Sequence, residues 1–287
     1  MDKSTLLEVR PGRNLNVFHH RKAGVNAGDT QTPMLFLLHG SMASMESFEP
    51  IFSSFEQHCN ILTYDAIGCG KSEKRLEEDA YTTEELRQDV IHLFNKHASN
   101  ETTPIILIGH SYGTAQVARL LAHLKQENQS HRVRAAILLG GIDSLPSGGH
   151  PIFQYPVCML SLLQRHMSHS FVQLALSPHA DAALREKCFQ QSMRNSMAVC
   201  KSFYTSFEWA TVDDWNALSS LPVLMLHGED DQITPLEGGQ RLHDLLRANG
   251  TKVRFERVPR AGHQLCDEVP SVVVGHINSF LTDECGL

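Results

Sequence analysis

Short apolar runs punctuate the chain at residues 34–38, 104–108, 133–139 and 222–226, separated by longer stretches with helical spacing. Runs that are apolar throughout predict strands covered on both faces. Residues 60–65 and 253–258 complete this set of strands. The intervening periodicity predicts helices over 46–58, 83–97, 112–127, 236–248 and 270–282, the second capped by Thr83 with Glu84 and Glu85 in its first turn. Residues 5–22 alternate around Pro11-Gly12-Arg13-Asn14 and predict an antiparallel hairpin at a sheet edge. The polar stretch 23–33 suits a loop. Strand alternating with helix implies a mostly parallel central sheet with helices on both faces.

The alternation breaks between residues 143 and 218. This stretch opens with Pro146, Gly148, Gly149, Pro151 and Pro156, then continues with helical patterns rich in Met, Leu, Phe, Cys and His. It predicts a helical lid over 143–218, inserted between two strands of a discontinuous core, 1–142 and 219–287. Such a lid would sit over the carboxyl ends of the strands, where open α/β sheets bind ligands. Most of its apolar residues are expected to pack the lid onto the core. A subset, with Phe153 and Met159 joining Met42, is expected to line an apolar acyl pocket. Contact of a lid face with a lipid surface is a further expectation, weakened because no strongly basic face accompanies it.

Composition narrows the function classes. The 287 residues carry 41% hydrophobic and 20% charged side chains, ordinary for a globular protein. A net charge of −7 with no basic block argues against a nucleic-acid surface. The apolar runs are far shorter than the about 20 residues that span a bilayer, and no apolar leader opens the sequence. The seven cysteines are scattered without a Cys-x-x-Cys pair, which suggests neither a disulfide framework nor a zinc site. A cytoplasmic location is the expectation; oligomeric state is not legible.

The chemistry centres on Gly109-His110-Ser111-Tyr112-Gly113, placed between an expected strand and an expected helix. There the sharp turn would hold the Ser111 hydroxyl clear of the sheet at a helix N-terminus, as a nucleophile needs. A serine requires a base, a group orienting that base, and donors for the oxyanion. Among 17 histidines, His263 stands out, in Arg260-Ala261-Gly262-His263-Gln264 after the last strand. The orienting acid is expected after the strand at 222–226: Asp231 is favoured, Asp230 is next, and Asp143 lies at a different strand end. The oxyanion donors are expected to be the N–H of Tyr112 and that of Ser41, with Met42 as the alternative to Ser41. Gly68-Cys69-Gly70-Lys71-Ser72 looks like the end of a phosphate loop, but Asp65 stands where that motif needs glycine.

These motifs occur in one order: His39-Gly40-Ser41, Asp65-x-x-Gly68-x-Gly70, Gly109-x-Ser111-x-Gly113, Gly228-x-x-Asp231, Gly262-His263. Together, over residues 5–282, they resemble the α/β-hydrolase superfamily, and most closely the abhydrolase domain-containing protein 8 group. The resemblance implies an α/β-hydrolase fold and a Ser111–Asp231–His263 triad. Relatives with epoxide hydrolase or haloalkane dehalogenase activity have aspartate where Ser111 stands, which disfavours those reactions. The expected reaction is hydrolysis through an acyl-enzyme, with no metal or organic cofactor. The expected substrate is a carboxylic ester with an apolar acyl group, such as a monoacylglycerol or small lipid. Thioesters, amides and carbon–carbon bonds of β-diketone type use the same parts, and a non-catalytic ligand-binding protein is the competing class.

Overall fold

The structure is a computed structural model and describes residues 4–24, 32–98, 102–145 and 151–287. The loop expected at 23–33 falls largely outside these residues, as do Pro146, Gly148 and Gly149.

The apolar runs become strands because each is covered on two sides. The hairpin β1 (Thr5–Arg10) and β2 (Arg13–His20) turns at Gly12 and leads to β3 (Met34–Leu38). Then follow α1 (Glu49–Phe55), β4 (Asn60–Tyr64), α2 (Thr83–His97), β5 (Ile105–His110), α3 (Tyr112–Gln126) and β6 (Val133–Leu139). Four helices come next: α4 (Val157–Ala175), α5 (Ala182–Met193), α6 (Met197–Thr205) and α7 (Val212–Asn216). The chain closes with β7 (Pro222–Gly228), α8 (Leu236–Ala248), β8 (Lys252–Val258), α9 (Leu265–Glu268) and α10 (Pro270–Cys285).

The eight strands form one sheet in the order β1-β2-β4-β3-β5-β6-β7-β8. Only the β1–β2 and β2–β4 pairs are antiparallel; the other five are parallel. Alternate residues of each strand feed opposite faces. Ile105 and Leu107 join the core under α2, α3 and α8, while Ile106 and Ile108 join the core under α1 and α10. This two-sided burial explains why the sequence shows unbroken apolar runs rather than alternation.

Two local expectations are revised. The helix expected at 46–58 is a 3-10 turn, Met45–Phe48, followed by the shorter α1, with Pro50 at its N-terminal end. The α2 cap is Thr82, not Thr83: the Thr82 hydroxyl accepts from Glu85 N–H at 3.3 Å. The phosphate-loop lookalike closes on Asp65. The Asp65 carboxylate accepts from the N–H groups of Met45 and Lys71 and from the Asn16 side chain. It lies so close to Gly70 that a Cβ there would fall 2.2 Å from its oxygen.

Between β6 and β7 the described residues contain no strand. The end of this insertion, including Phe203, Phe207, Trp209 and Trp215, packs into the same apolar core as α2 and α3. Its earlier helices build small cores of their own, around Phe153, Leu160 and Met197 and around Val172, Leu176 and Phe189.

Candidate active site

Parallel strands deliver their carboxyl ends to one edge, so the loops after β3, β5, β7 and β8 converge there. Ser111 follows β5 directly and precedes α3. Its backbone has φ 53° and ψ −121°, a conformation a non-glycine residue holds only under constraint. The constraint is visible: Ser111 N–H donates to Leu139 O at 2.9 Å, and Ser111 O accepts from Thr114 N–H and from the Thr114 hydroxyl. The flanking glycines are needed for space. A Cβ on Gly113 would lie 1.9 Å from Leu38 O, and one on Gly109 would lie 2.4 Å from Gly113 O.

His263 lies in the loop between β8 and α9, with Nδ1 2.8 Å from Asp231 Oδ2. Asp231 follows β7, and its carboxylate is fully occupied. Oδ1 accepts from Ile233 N–H at 2.9 Å and Thr234 N–H at 2.8 Å; Oδ2 also accepts from the Thr234 hydroxyl at 2.8 Å. Burial alone would raise the carboxyl pKa, but His263 and these donors outweigh it and hold Asp231 down to about 2. The other candidate acids are engaged elsewhere. Asp230 accepts from the Ser177 hydroxyl at 2.7 Å, and Asp143 is gripped by the Arg241 guanidinium at 2.9 and 3.0 Å. Asp231 is therefore the acid that meets His263.

Ser111 and His263 share one corner. Gly140, the residue after the Leu139 carbonyl that holds Ser111, lies against the His263 ring. Among the described residues no hydrogen bond joins Ser111 Oγ to His263. Such contacts tighten when a substrate binds. His39 is fixed as a neutral donor–acceptor: Nε2 accepts from Ala66 N–H at 2.9 Å and Nδ1 donates to Gly40 O at 2.7 Å. Burial holds its pKa down, which suits a structural role.

The backbone N–H groups of Ser41 and Tyr112 have no acceptor among the described residues, and Tyr112 opens α3, where helix N–H groups are free. The Gly40 backbone packs against Ser111: a Cβ there would sit 3.0 Å from Ser111 Cβ. This brings the β3 loop to the Ser111 turn.

A cavity of about 310 Å³ opens beside this corner, lined by Ser41, Met42, Phe153, Met197, Tyr204 and Gln264 among others. Of the three residues expected to line a pocket, Met42 and Phe153 are on this wall and Met159 is not. It is 43% exposed on the outside of α4, because the inward turn of that helix is taken by Leu160 and Met167. Ser111 and His263 are also off the wall, which reaches their neighbourhood through Ser41 and Gln264.

An alpha/beta hydrolase family model matches residues 35–275. The chain belongs to the alpha/beta hydrolase family. It is 25% identical over 274 residues to Protein ABHD8 of Homo sapiens, covering 95% of this chain and 60% of that protein. The chain thus spans about 60% of the length of that curated relative. It is 24% identical over 283 residues to the 2-hydroxy-6-oxo-6-(2'-aminophenyl)hexa-2,4-dienoic acid hydrolase of Metapseudomonas resinovorans, with 90% of each covered. The enol-lactonase from Burkholderia xenovorans LB400 superposes with a TM-score of 0.78 at 16% identity, covering 97% of this chain and 100% of that one. At that identity the likeness carries the fold alone. Thr234 is a site residue that the sequence analysis did not single out: its hydroxyl donates to Asp231 Oδ2 at 2.8 Å and lies 3.0 Å from His263 Nδ1. Among the described residues, no group of three or more His, Cys, Asp or Glu side chains gathers to hold a metal ion, and no helix is long and apolar enough to cross a membrane.

Proposed function

We propose that this alpha/beta hydrolase is a serine hydrolase that cleaves carboxylic esters through an acyl-enzyme on Ser111. The observation that carries the reading is the His263–Asp231 pair. A carboxylate held by three other hydrogen bonds accepts from Nδ1, which leaves Nε2 as the free base. His263 takes the Ser111 proton as Ser111 attacks the carbonyl. Asp231 fixes the tautomer and stabilises the imidazolium. The Ser41 and Tyr112 N–H groups bind the oxyanion, each worth about 3–4 kcal/mol in the transition state. His263 then protonates the leaving group and activates the water that releases the acid.

Met42, Phe153, Met167 and Met197 give the cavity wall an apolar part that would suit an apolar acyl group, beside charged residues such as Lys71 and Asp267. A monoacylglycerol or small lipid ester fits that description. The insertion would act as the lid, and the exposed Tyr155, Met159 and Leu162 would be its contact with a membrane surface. The likeness to a 2-hydroxy-6-oxo-6-(2'-aminophenyl)hexa-2,4-dienoic acid hydrolase supports a second reaction on the same groups, cleavage of a carbon–carbon bond of β-diketone type. A non-catalytic binding role draws on one observation, that the cavity wall omits Ser111.

A fluorophosphonate probe separates these readings. Labelling of the wild type and not of Ser111→Ala, with turnover of p-nitrophenyl esters, is the expected result. Folded wild type that neither labels nor turns over esters would overturn the enzyme reading.

A further inference from the structure

The loop after β3 carries an unexplained strain. Gly40 O accepts from Ala43 N–H at 3.3 Å, closing a turn with Ser41 and Met42 as its central residues. Met42, the second of them, has φ 53°. Turns needing positive φ there select glycine or asparagine, and an unbranched but bulky residue adopts it only under strain. Such a conformation persists only where neighbours over-determine it.

The core holds the turn through His39 Nδ1, which donates to Gly40 O at 2.7 Å, and through the Met42 N–H, which donates to Cys69, and the insertion adds two further contacts. The Asn195 side-chain amide donates to Met42 O at 2.9 Å. The Tyr204 hydroxyl, on α6, donates to Ser41 Oγ at 3.2 Å. Asn195 lies between α5 and α6, and the Gln164 side chain of α4 donates to its carbonyl at 2.9 Å and to that of Met193 at 3.1 Å. The α5–α6 loop and α6 thus each bond one residue of the turn, and α4 braces the loop through Gln164. Asn195, Tyr204, Ser41 and Met42 also share the cavity wall. A ligand entering the cavity therefore touches the grip and the gripped loop together.

We infer that Asn195 is a positioning residue, which, seconded by Tyr204, locks the Ser41–Met42 turn so that the Ser41 N–H points at the oxyanion. The inference rests on the serine-hydrolase reading and adds that the insertion sets the geometry of the oxyanion hole. The core alone supplies Ser111, Asp231, His263 and the Tyr112 N–H. The orientation of the second donor is completed by the insertion, through Asn195 and Tyr204.

The test measures the rate of Ser111 labelling by a fluorophosphonate. In that step a phosphorus–oxygen bond forms to Ser111, fluoride leaves, and charge builds on the phosphonyl oxygen. Asn195→Ala is expected to slow labelling by about 10–100-fold, the scale of a misplaced donor. It should lower kcat for p-nitrophenyl butyrate while KM stays within about 2-fold, as for an interaction made only in the transition state. Asn195→Asp keeps the shape. Its carboxylate repels the Met42 carbonyl at pH 7, and its protonated form donates to it. Its labelling rate relative to wild type should therefore recover as pH falls from about 6 to 4. Tyr204→Phe should cost less, about 3–10-fold, since the Asn195 grip remains. Gln190→Ala, on the exposed side of α5, serves as the control and should label at the wild-type rate. If both Asn195 variants label like the Gln190 control, the inference fails while the serine-hydrolase reading stands. Wild type that does not label at Ser111 overturns that reading and this inference with it. A variant that loses labelling only in step with its urea midpoint shows a structural role for Asn195 and also overturns the inference.

Discussion

His110, the residue before the candidate nucleophile, has Nε2 2.8 Å from the backbone carbonyl of His263, the candidate base. The nucleophile turn and the histidine loop are thereby tied through side chain and backbone, with the two rings 5.0 Å apart. Burial, and secondarily the His263 imidazole, push the His110 pKa down to about 3. The ring thus remains neutral, with Nε2 as the donor. His110→Ala leaves a buried carbonyl unpaired and frees the loop. A loss of about 2 kcal/mol in unfolding free energy is expected, with kcat falling about 10–100-fold. Urea denaturation and ester turnover measure the two effects separately.

Asp231→Asn and Asp143→Asn form a matched pair. Asparagine at 231 removes the acceptor that fixes the His263 tautomer, and a kcat loss of about 10⁴-fold is expected. Asp143 pairs with an exposed arginine, so its variant should stay within about 2-fold of wild type. Equal losses in the two variants would contradict the assignment of the acid.

Glu268 is the clasp between the histidine loop and the insertion. Its carboxylate accepts from Gly262 N–H at 3.0 and 3.1 Å, from Gln264 N–H at 3.1 Å and from Ser177 N–H at 2.8 Å. His263 N–H itself donates to Ala175 O at 2.7 Å, at the end of α4. Burial raises the Glu268 pKa, and these N–H groups only partly oppose it. Glu268→Ala should cost about 2–3 kcal/mol of stability, and Glu268→Gln, which keeps one acceptor oxygen, less. Thermal unfolding of both variants tests the ordering.

Acid should destabilise the protein well above the carboxylate range. Burial lowers His110 to about 3 and His19 to about 4. In the unfolded chain both take a proton near pH 6.5. Below that pH the unfolded state binds more protons, so stability is complete above about 7 and is lost as pH falls toward 4. Asp231, held at about 2 in the fold, adds a second loss in the same direction, below about pH 4. Urea midpoints at pH 7, 6 and 5 should fall in sequence, and His19→Asn should flatten the slope. Midpoints that do not change over this range would refute the account.

Gly113→Ala tests the turn itself. The added Cβ would strike the Leu38 carbonyl, a backbone atom of β3 that cannot yield without moving the strand. A loss above about 3 kcal/mol is expected, read as soluble yield and melting temperature.

The sequence by itself determined the sheet, the insertion point and the Gly109–Gly113 turn. Each is a local matter: an apolar run specifies a doubly covered strand, and two glycines around a serine specify a turn with no room for Cβ. Strand ends then placed His263 and a cluster of acids at the right edge. The tertiary structure decided the rest. Three consecutive residues, Glu229, Asp230 and Asp231, are equivalent in sequence. The path of the loop turns Asp230 to Ser177 and Asp231 to His263. Met159 and Leu160 are adjacent and both apolar, and the rotation of α4 faces one outward and the other inward. Asn195 and Glu268 carry no motif because they meet backbone groups, and Tyr204 carries none because its partner, the Ser41 hydroxyl, is 163 positions away. Backbone groups are chemically identical at every position, so only the fold can say which of them a side chain will meet.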